Sequence, residues 1–395
     1  MRLTLGEPRV PAGFAAAFAG QRERFPGLSD DWRPVHTVYV PAGRVDRHTV
    51  RSWGERALAL LETHLPDARA LAAVFGPMGG DLAADVRGRV AAKLAAEPVE
   101  DLRIDFEDGY GVPPGAREDA DAVAAAEAVA AMRADGTLPR RWGLRVKSFA
   151  DGDPARSLRT LDAFLTAVLA RAGGLPDGFT VTFPKVLMEE YLGQFAACLG
   201  ELEAGLGLPA GTLRFEMQVE APQTVMFLAR SPGLVPSLGG RLAAAHFGVF
   251  DYTAACGLPP HEQRLDHPVC DHAREVMRVA LAGTGVELSD GSLAASPASD
   301  AAPDVHALWR THAALVRHSL RHGFHQGWDM HPSHLVSRYA TVYAFHLEHR
   351  DAFAARVRAW EERRDGGEAG VMDEPATIKT LSAALRRADV ALGEA

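Results

Sequence analysis

The sequence predicts an α/β fold, a TIM-type (β/α)8 barrel with a C-terminal helical extension, and three observations carry that expectation. Eight short apolar runs alternate with longer segments of helical periodicity, the pattern of repeated βα units around a parallel sheet. The chain has 395 residues, enough for a closed barrel of about 250 residues plus appendages. Several of the runs end in a charged residue just before a loop, as barrel strands do when they present side chains at their C-terminal mouth.

In chain order, strands are expected over residues 35–40, 102–106, 143–146, 179–183, 213–219, 242–249, 286–288 and 323–329. Apolar residues recur at helical spacing over 57–65, 83–96, 118–133, 158–171, 191–206 and 272–281. The alanine-rich stretch 120–131 favours a helix packed closely on the barrel. Residues 1–34 read as an irregular arm rich in Pro, Gly and Arg, and 291–303 as a Ser/Ala/Pro/Asp loop of low order. About sixty residues separate the first two strands. The tail reads as helical over 335–360 and 376–391, broken by a glycine-rich linker at 364–370.

Composition narrows the function classes. There are 42 Lys+Arg against 51 Asp+Glu, a formal net charge of -9, and no basic stripe offers a track for nucleic acid. Cys198, Cys256 and Cys270 make an odd count without CxxC spacing, which fits a reducing cytoplasm better than a disulfide framework. Nothing approaches the roughly 18 apolar residues of a membrane span, and the N-terminus lacks an apolar signal core. The expectation is a cytoplasmic protein with no membrane and no nucleic-acid partner.

Two runs each end near an acid: Phe215-Glu216-Met217-Gln218-Val219-Glu220 and His246-Phe247-Gly248-Val249-Phe250-Asp251. Oxygen ligands on neighbouring strands suit a hard cation, Mg²⁺ or Mn²⁺, which keeps waters and takes further ligands from substrate. Each acid taken alone is equally an ordinary helix-start residue. The second strand ends in Asp105-Phe106-Glu107-Asp108-Gly109, where Asp105 and Glu107 share a face; the segment reads as a metal site, a proton relay or a solvated turn. Arg145 stands inside an apolar run, placed to grip a carboxylate with its paired donors. Lys185, after Phe183-Pro184, reads as an anion contact, an imine-forming amine or a structural ion pair. His318 and His322 share a helix face at i,i+4, with His325, His331 and His334 following, but a third zinc ligand at recognisable spacing is lacking.

In combination and order these motifs resemble the citrate lyase β-subunit-like branch of the HpcH/HpaI aldolase superfamily, over roughly residues 35–385. Val38-Tyr39-Val40-Pro41-Ala42-Gly43 resembles its first strand and "VPG" turn, Asp105-Phe106-Glu107-Asp108-Gly109 its "DLED" strand, and Leu144-Arg145-Val146-Lys147-Ser148 its "RVNS" strand. Phe183-Pro184-Lys185-Val186 matches "PKV", Val219-Glu220-Ala221-Pro222 its "ET" strand, and Phe247-Gly248-Val249-Phe250-Asp251 its "FGxxD" strand. Met330-His331-Pro332-Ser333-His334 resembles "IHPxQ", and Gly370-Val371-Met372-Asp373-Glu374-Pro375 the tail motif of the malyl-CoA and citramalyl-CoA lyases. Lys147 replaces the usual asparagine, Ala221-Pro222 replaces a threonine-containing turn, and the first βα unit is about thirty residues longer than typical.

The resemblance implies an arm (1–34), a metal-dependent aldolase or lyase-like barrel (35–335) and a helical extension (336–395) available to a neighbouring subunit. It implies a Mg²⁺-dependent carbon–carbon lyase, cleaving or forming a 3-hydroxyacyl-CoA or a 4-hydroxy-2-oxo acid, with glyoxylate or pyruvate as the oxo acid. Glu220 and Asp251 would hold the metal, Arg145 would steady the oxygen that gains charge, and Asp373 would act as base in a homo-oligomer, a trimer or hexamer. Glu107, Asp108 and Lys185 are expected at the substrate. Two rivals stand beside this reading. One is a phosphoenolpyruvate-using phosphotransferase, which the sequence supports with no P-loop. The other is a non-catalytic barrel that binds acyl-CoA or oxo acid.

Overall fold

The computed structural model describes residues 10–27, 31–364 and 374–394. Eight parallel strands run β1 (His36–Pro41), β2 (Asp101–Asp105), β3 (Arg141–Arg145), β4 (Phe179–Phe183), β5 (Phe215–Val219), β6 (Leu242–Phe247), β7 (Glu287–Ser289) and β8 (Gly327–Asp329). Each pairs with its sequence neighbour and β8 returns to β1, registering Val38 against Asp329. The β7–β8 seam is thin. It closes through one bridge, Ser289 to Gln326, extended by Asp290 N–H to Gln326 O at 2.8 Å and Trp328 N–H to Gly291 O at 3.2 Å. The expected barrel is therefore present.

The apolar core lies between strands and helices. Phe183 stacks on Phe195 with centroids 4.2 Å apart, and Phe215 meets Phe195 edge-on at 5.4 Å. The outward positions Phe215, Met217 and Val219 are fully buried, so the strand's other face, Glu216, Gln218 and Glu220, points inward by strict alternation. That inner face is ionic rather than apolar. Arg103 of β2 reaches across to Glu216 of β5, donating from Nη2 to Oε2 at 2.7 Å and from Nε to Oε1 at 2.9 Å, and grips Asp101 at 2.5 Å. His246 of β6 adds a contact to Glu216 at 3.2 Å. Charges buried this deeply are tolerated only because each has its counter-charge and donors in place.

Several sequence expectations change. The arm is partly helical, Phe14–Arg24, with none of its residues buried. The long first connection holds three helices, Thr49–His64, Ala68–Phe75 and Gly80–Ala96, of which the second is short and was not expected. The loop after β7 is anchored rather than loose. Asp290 accepts from Arg274 Nε at 2.8 Å, and Ala295 O meets His334 Nε2 at 2.8 Å.

The boundary at 335 falls inside one helix, Pro332–Arg364, whose residues Leu335, Val336, Tyr339 and Ala340 are fully buried. That helix is the barrel's own eighth helix, packed on Thr49–His64, Gly80–Ala96 and Ala302–Arg321. The tail helix, Pro375–Leu392, packs on Pro332–Arg364 of the same chain, where Arg350 Nη2 pairs with Asp389 at 2.6 Å. No helix among the described residues is long and apolar enough to cross a membrane.

Candidate active site

At the C-terminal mouth of the strands a cavity of about 350 Å³ is lined by Tyr39, Asp105, Arg145, Glu220, Asp251 and Trp328, among others. A second cavity, about 280 Å³, lies against Phe75, Met78 and Ala344 at the helical periphery. Its charged groups, Arg317 and Glu348, pair with each other at 3.0 Å, so the chemistry concentrates at the barrel mouth.

Glu220 follows β5 directly and is 3 % exposed. Its Oε1 accepts the backbone N–H of Lys185 at 2.6 Å. Burial, and then the nearby charges of Glu107 and Asp251, push its carboxyl up to about 8, against the pull of Arg145. Gly248 makes room for it, because a Cβ there would lie 2.5 Å from Glu220 Cβ and 2.6 Å from Oε2. Asp251 stands in the first turn of helix Val249–Ala255 rather than at a strand end, half-exposed and lining the cavity.

Arg145 closes β3, but its donor fork is committed. Nε and Nη2 donate to the two oxygens of Asp105 at 2.7 Å each, while Nη1 lies 3.1 Å from Glu107 and 3.9 Å from Asp108. The fork therefore grips Asp105 of the same chain, and its third nitrogen pairs with Glu107. Asp105 also accepts N–H groups of Glu107 and Gly109, both at 2.9 Å, and thereby shapes the turn that carries the next acids. Asp105 was not singled out from sequence as a site residue. The signal was present, since it is the last residue of its strand and shares a face with Glu107 and Arg103.

Lys185 is the one non-glycine residue with positive φ among the described residues, at +48°. Its Nζ pairs with Glu107 and, at 2.7 Å, with Asp108. Although burial works to lower it, these acids raise the ammonium's pKa, which holds it charged. An imine-forming lysine needs the opposite shift, so the ion-pair reading stands. Glu107 is pushed up to about 7 by burial, held back by Arg145 and Lys185.

Lys147, in the position of the family's asparagine, is turned away from the cavity contacts. It donates to Phe106 O at 2.7 Å and Gly111 O at 2.6 Å, clamping the turn after β2. Tyr39 and Trp328, whose rings lie 4.6 Å apart, complete the wall, and neither was read from sequence as part of the site. Among the described residues the buried Trp328 Nε1 has no hydrogen-bond acceptor. Asp373 lies outside the described residues.

Five carboxylates therefore stand at one mouth: Asp105, Glu107, Asp108, Glu220 and Asp251. Two cations, Arg145 and Lys185, stand among them. The donor set is all oxygen on the side of Glu220 and Asp251, and the charges of Glu107 and Asp251 add to the burial that raises the Glu220 carboxyl, so these residues fit Mg²⁺ or Mn²⁺.

A family model described as "Domain of unknown function (DUF6986)" matches residues 14–392. The chain belongs to that family. No curated protein matches its sequence. Among solved structures it is similar to the malate synthase of Haloferax volcanii. A structure titled native at 3 mM glyoxylate aligns with a TM-score of 0.55 and 12 % identity, covering 92 % of this chain and 99 % of that one. A magnesium/glyoxylate complex aligns at 0.52 and 14 % identity, covering 89 % and 97 %. A pyruvate/acetyl-CoA ternary complex aligns at 0.50 and 16 %, covering 79 % and 86 %. At these identities the likeness establishes the barrel fold.

Proposed function

We propose that this chain is a Mg²⁺- or Mn²⁺-dependent enzyme that breaks or makes a carbon–carbon bond beside a 2-oxo acid, glyoxylate or pyruvate, with an acyl-CoA thioester or a 4-hydroxy-2-oxo acid as the larger partner. The observation that carries the reading is the buried Glu220 carboxyl, pushed up to about 8, facing a mouth that also holds Asp251 and Arg145. The motif succession resembling the citrate lyase β-subunit-like enzymes supports it. So do the magnesium, glyoxylate, pyruvate and acetyl-CoA complexes of the Haloferax volcanii malate synthase, which shares the fold.

Glu220 and Asp251 would hold the metal. When bound, the ion supplies Lewis acidity to the oxo acid's oxygens. Arg145, fixed by Asp105 and paired through Nη1 with Glu107, lines the mouth, where its positive charge would steady an oxygen gaining charge. Lys185 keeps Glu107 and Asp108 beside that guanidinium. The Trp328 side chain lines the same cavity. Asp373, by the tail motif, is the proposed base for the proton that interconverts an acyl group and its enolate, acting in a homo-oligomer.

The test is an assay of malyl-CoA, citramalyl-CoA, citryl-CoA and free 4-hydroxy-2-oxo acids for oxo-acid release, run beside thioester-dependent glyoxylate consumption for the reverse direction. Metal-dependent turnover that chelation abolishes and Mg²⁺ restores is expected. Turnover unaffected by chelation, or a panel inert in both directions with metal demonstrably bound, overturns the reading.

A further inference from the structure

Away from the barrel mouth, the structure completes a set of side chains that the sequence leaves short. His318 and His322 occupy the last turn and C-cap of helix Ala302–Arg321. Their rings lie 4.4 Å apart between centroids and tilted by 39°, on one face, as i,i+4 spacing dictates. Asp271, in the first turn of helix Pro268–Leu281, meets both. Its Oδ1 lies 2.7 Å from His318 Nε2 and 3.6 Å from His322 Nε2.

We propose that Asp271, His318 and His322 form a transition-metal site of the Zn²⁺ class, which clamps helix Pro268–Leu281 to helix Ala302–Arg321. One potential ligand atom from each residue lies within 4.8 Å of the others. Tetrahedral zinc with bonds of about 2.0–2.1 Å sets its donors about 3.3 Å apart, inside the observed spread. His322 is held in the tautomer that metal binding needs. Its Nδ1 lies 3.0 Å from His318 O, so that nitrogen carries the proton and Nε2 turns a lone pair toward Asp271. A lone pair facing a carboxylate oxygen at 3.6 Å is an arrangement that a cation between them satisfies.

Arg274 Nη1 donates to the same Asp271 Oδ1 at 2.6 Å while its Nε holds Asp290, which positions the carboxylate, as ligating carboxylates are commonly positioned by hydrogen bonds. Arg278, which reaches His322 O at 3.4 Å, is balanced by Glu275 at 2.9 Å. All three ligands are half-buried, so water reaches the remaining position.

Imidazole nitrogens with one carboxylate favour Zn²⁺, Co²⁺ or Ni²⁺ over Mg²⁺. This separates the site from the all-oxygen mouth. A second triad, His312, Asp329 and His334, does not qualify. Asp329 is spent on Arg338 at 2.8 Å and His36 at 3.0 Å, and His334 holds Ala295 O with Nε2 and accepts the Met330 N–H with Nδ1.

The experiment is a Co²⁺ titration of the full chain followed by visible absorption, with Zn²⁺ competition, in wild type, His318→Ala, His322→Ala, Asp271→Asn and Glu220→Gln. One equivalent of Co²⁺ should give the intense visible bands of low coordination, displaced by one equivalent of Zn²⁺. Each of the first three variants should bind at least about tenfold more weakly, since one ligand of three is gone, while Glu220→Gln leaves the bands unchanged. Zn²⁺ should raise the melting temperature of wild type but not of His322→Ala. Absence of the bands in wild type overturns the site, as does their persistence in both histidine variants or their loss in Glu220→Gln alone.

Discussion

The backbone N–H of Lys185 donates to Glu220 Oε1 at 2.6 Å, from a residue held at φ +48°. The donor at the end of β4 thus orients the acid at the end of β5, and the lysine accepts a left-handed backbone that costs about 1–2 kcal/mol to do so. Lys185→Gly keeps the N–H and relieves the backbone, whereas Lys185→Ala keeps the strain. Thermal melts should rank Gly above Ala by about 1 kcal/mol, although Ala is ordinarily the better substitute. Both should lose activity, since both lose the pairing with Glu107 and Asp108.

Metal binding should depend on pH with a sign set by Glu220. Its folded pKa is raised from the usual 4.5 to about 8, so metal must displace a proton below that value. Calorimetric Mg²⁺ affinity should climb about tenfold per pH unit up to about pH 8 and then level. In the metal-free protein the same shift acts on stability. The native state holds a proton that the unfolded chain releases, so this contribution is complete below about pH 4.5 and lost as pH rises through 8. Glu220→Gln should remove the part of both profiles that falls near pH 8, leaving that of Glu107 near pH 7. Flat affinity in the wild type removes Glu220 as a ligand.

Gly248→Ala tests the site sterically without touching a charge. The added methyl carbon would lie 2.5 Å from Glu220 Cβ, a contact that must move the acid. Mg²⁺ affinity and turnover should fall together by tenfold or more, with a destabilisation of about 1–3 kcal/mol from overpacking. Retained affinity would mean that Glu220 is not the anchor.

Arg145→Lys keeps the charge and loses the fork that fixes it on Asp105. Turnover should drop by about 10²-fold or more with the fold intact. Arg145→Ala leaves the buried Asp105 unpaired, and should cost about 3–5 kcal/mol of stability in denaturant melts. Wild-type kinetics in Arg145→Lys would make the residue structural.

Asp373, placed by its motif alone, is expected to serve a neighbouring subunit. Asp373→Ala should bind Mg²⁺ normally and lose catalysis. Mixed with Glu220→Gln subunits it should regain part of the activity, because one site in the mixed oligomer has both residues. Inactive mixtures, with mixed oligomers present, would place the base elsewhere.

The sequence by itself determined the βα alternation, each strand's place to within a few residues, and the acids and arginine that end β2, β3 and β5. These are local properties: apolar period, turn residues and the charge at a strand end are all written within a few positions. Tertiary structure alone decided the partners. Arg145 could be read as a carboxylate clamp, but only the β2–β3 register, which sets Asp105 opposite Arg145, shows which carboxylate it holds. The ionic barrel interior was invisible because Arg103 and Glu216 are 113 positions apart and meet only across the closed barrel. Asp271 joined His318 and His322 for the same reason, since helix packing sets that distance. Charge pairing depends on separations through space, and a closed barrel brings together inward side chains that the chain itself keeps far apart.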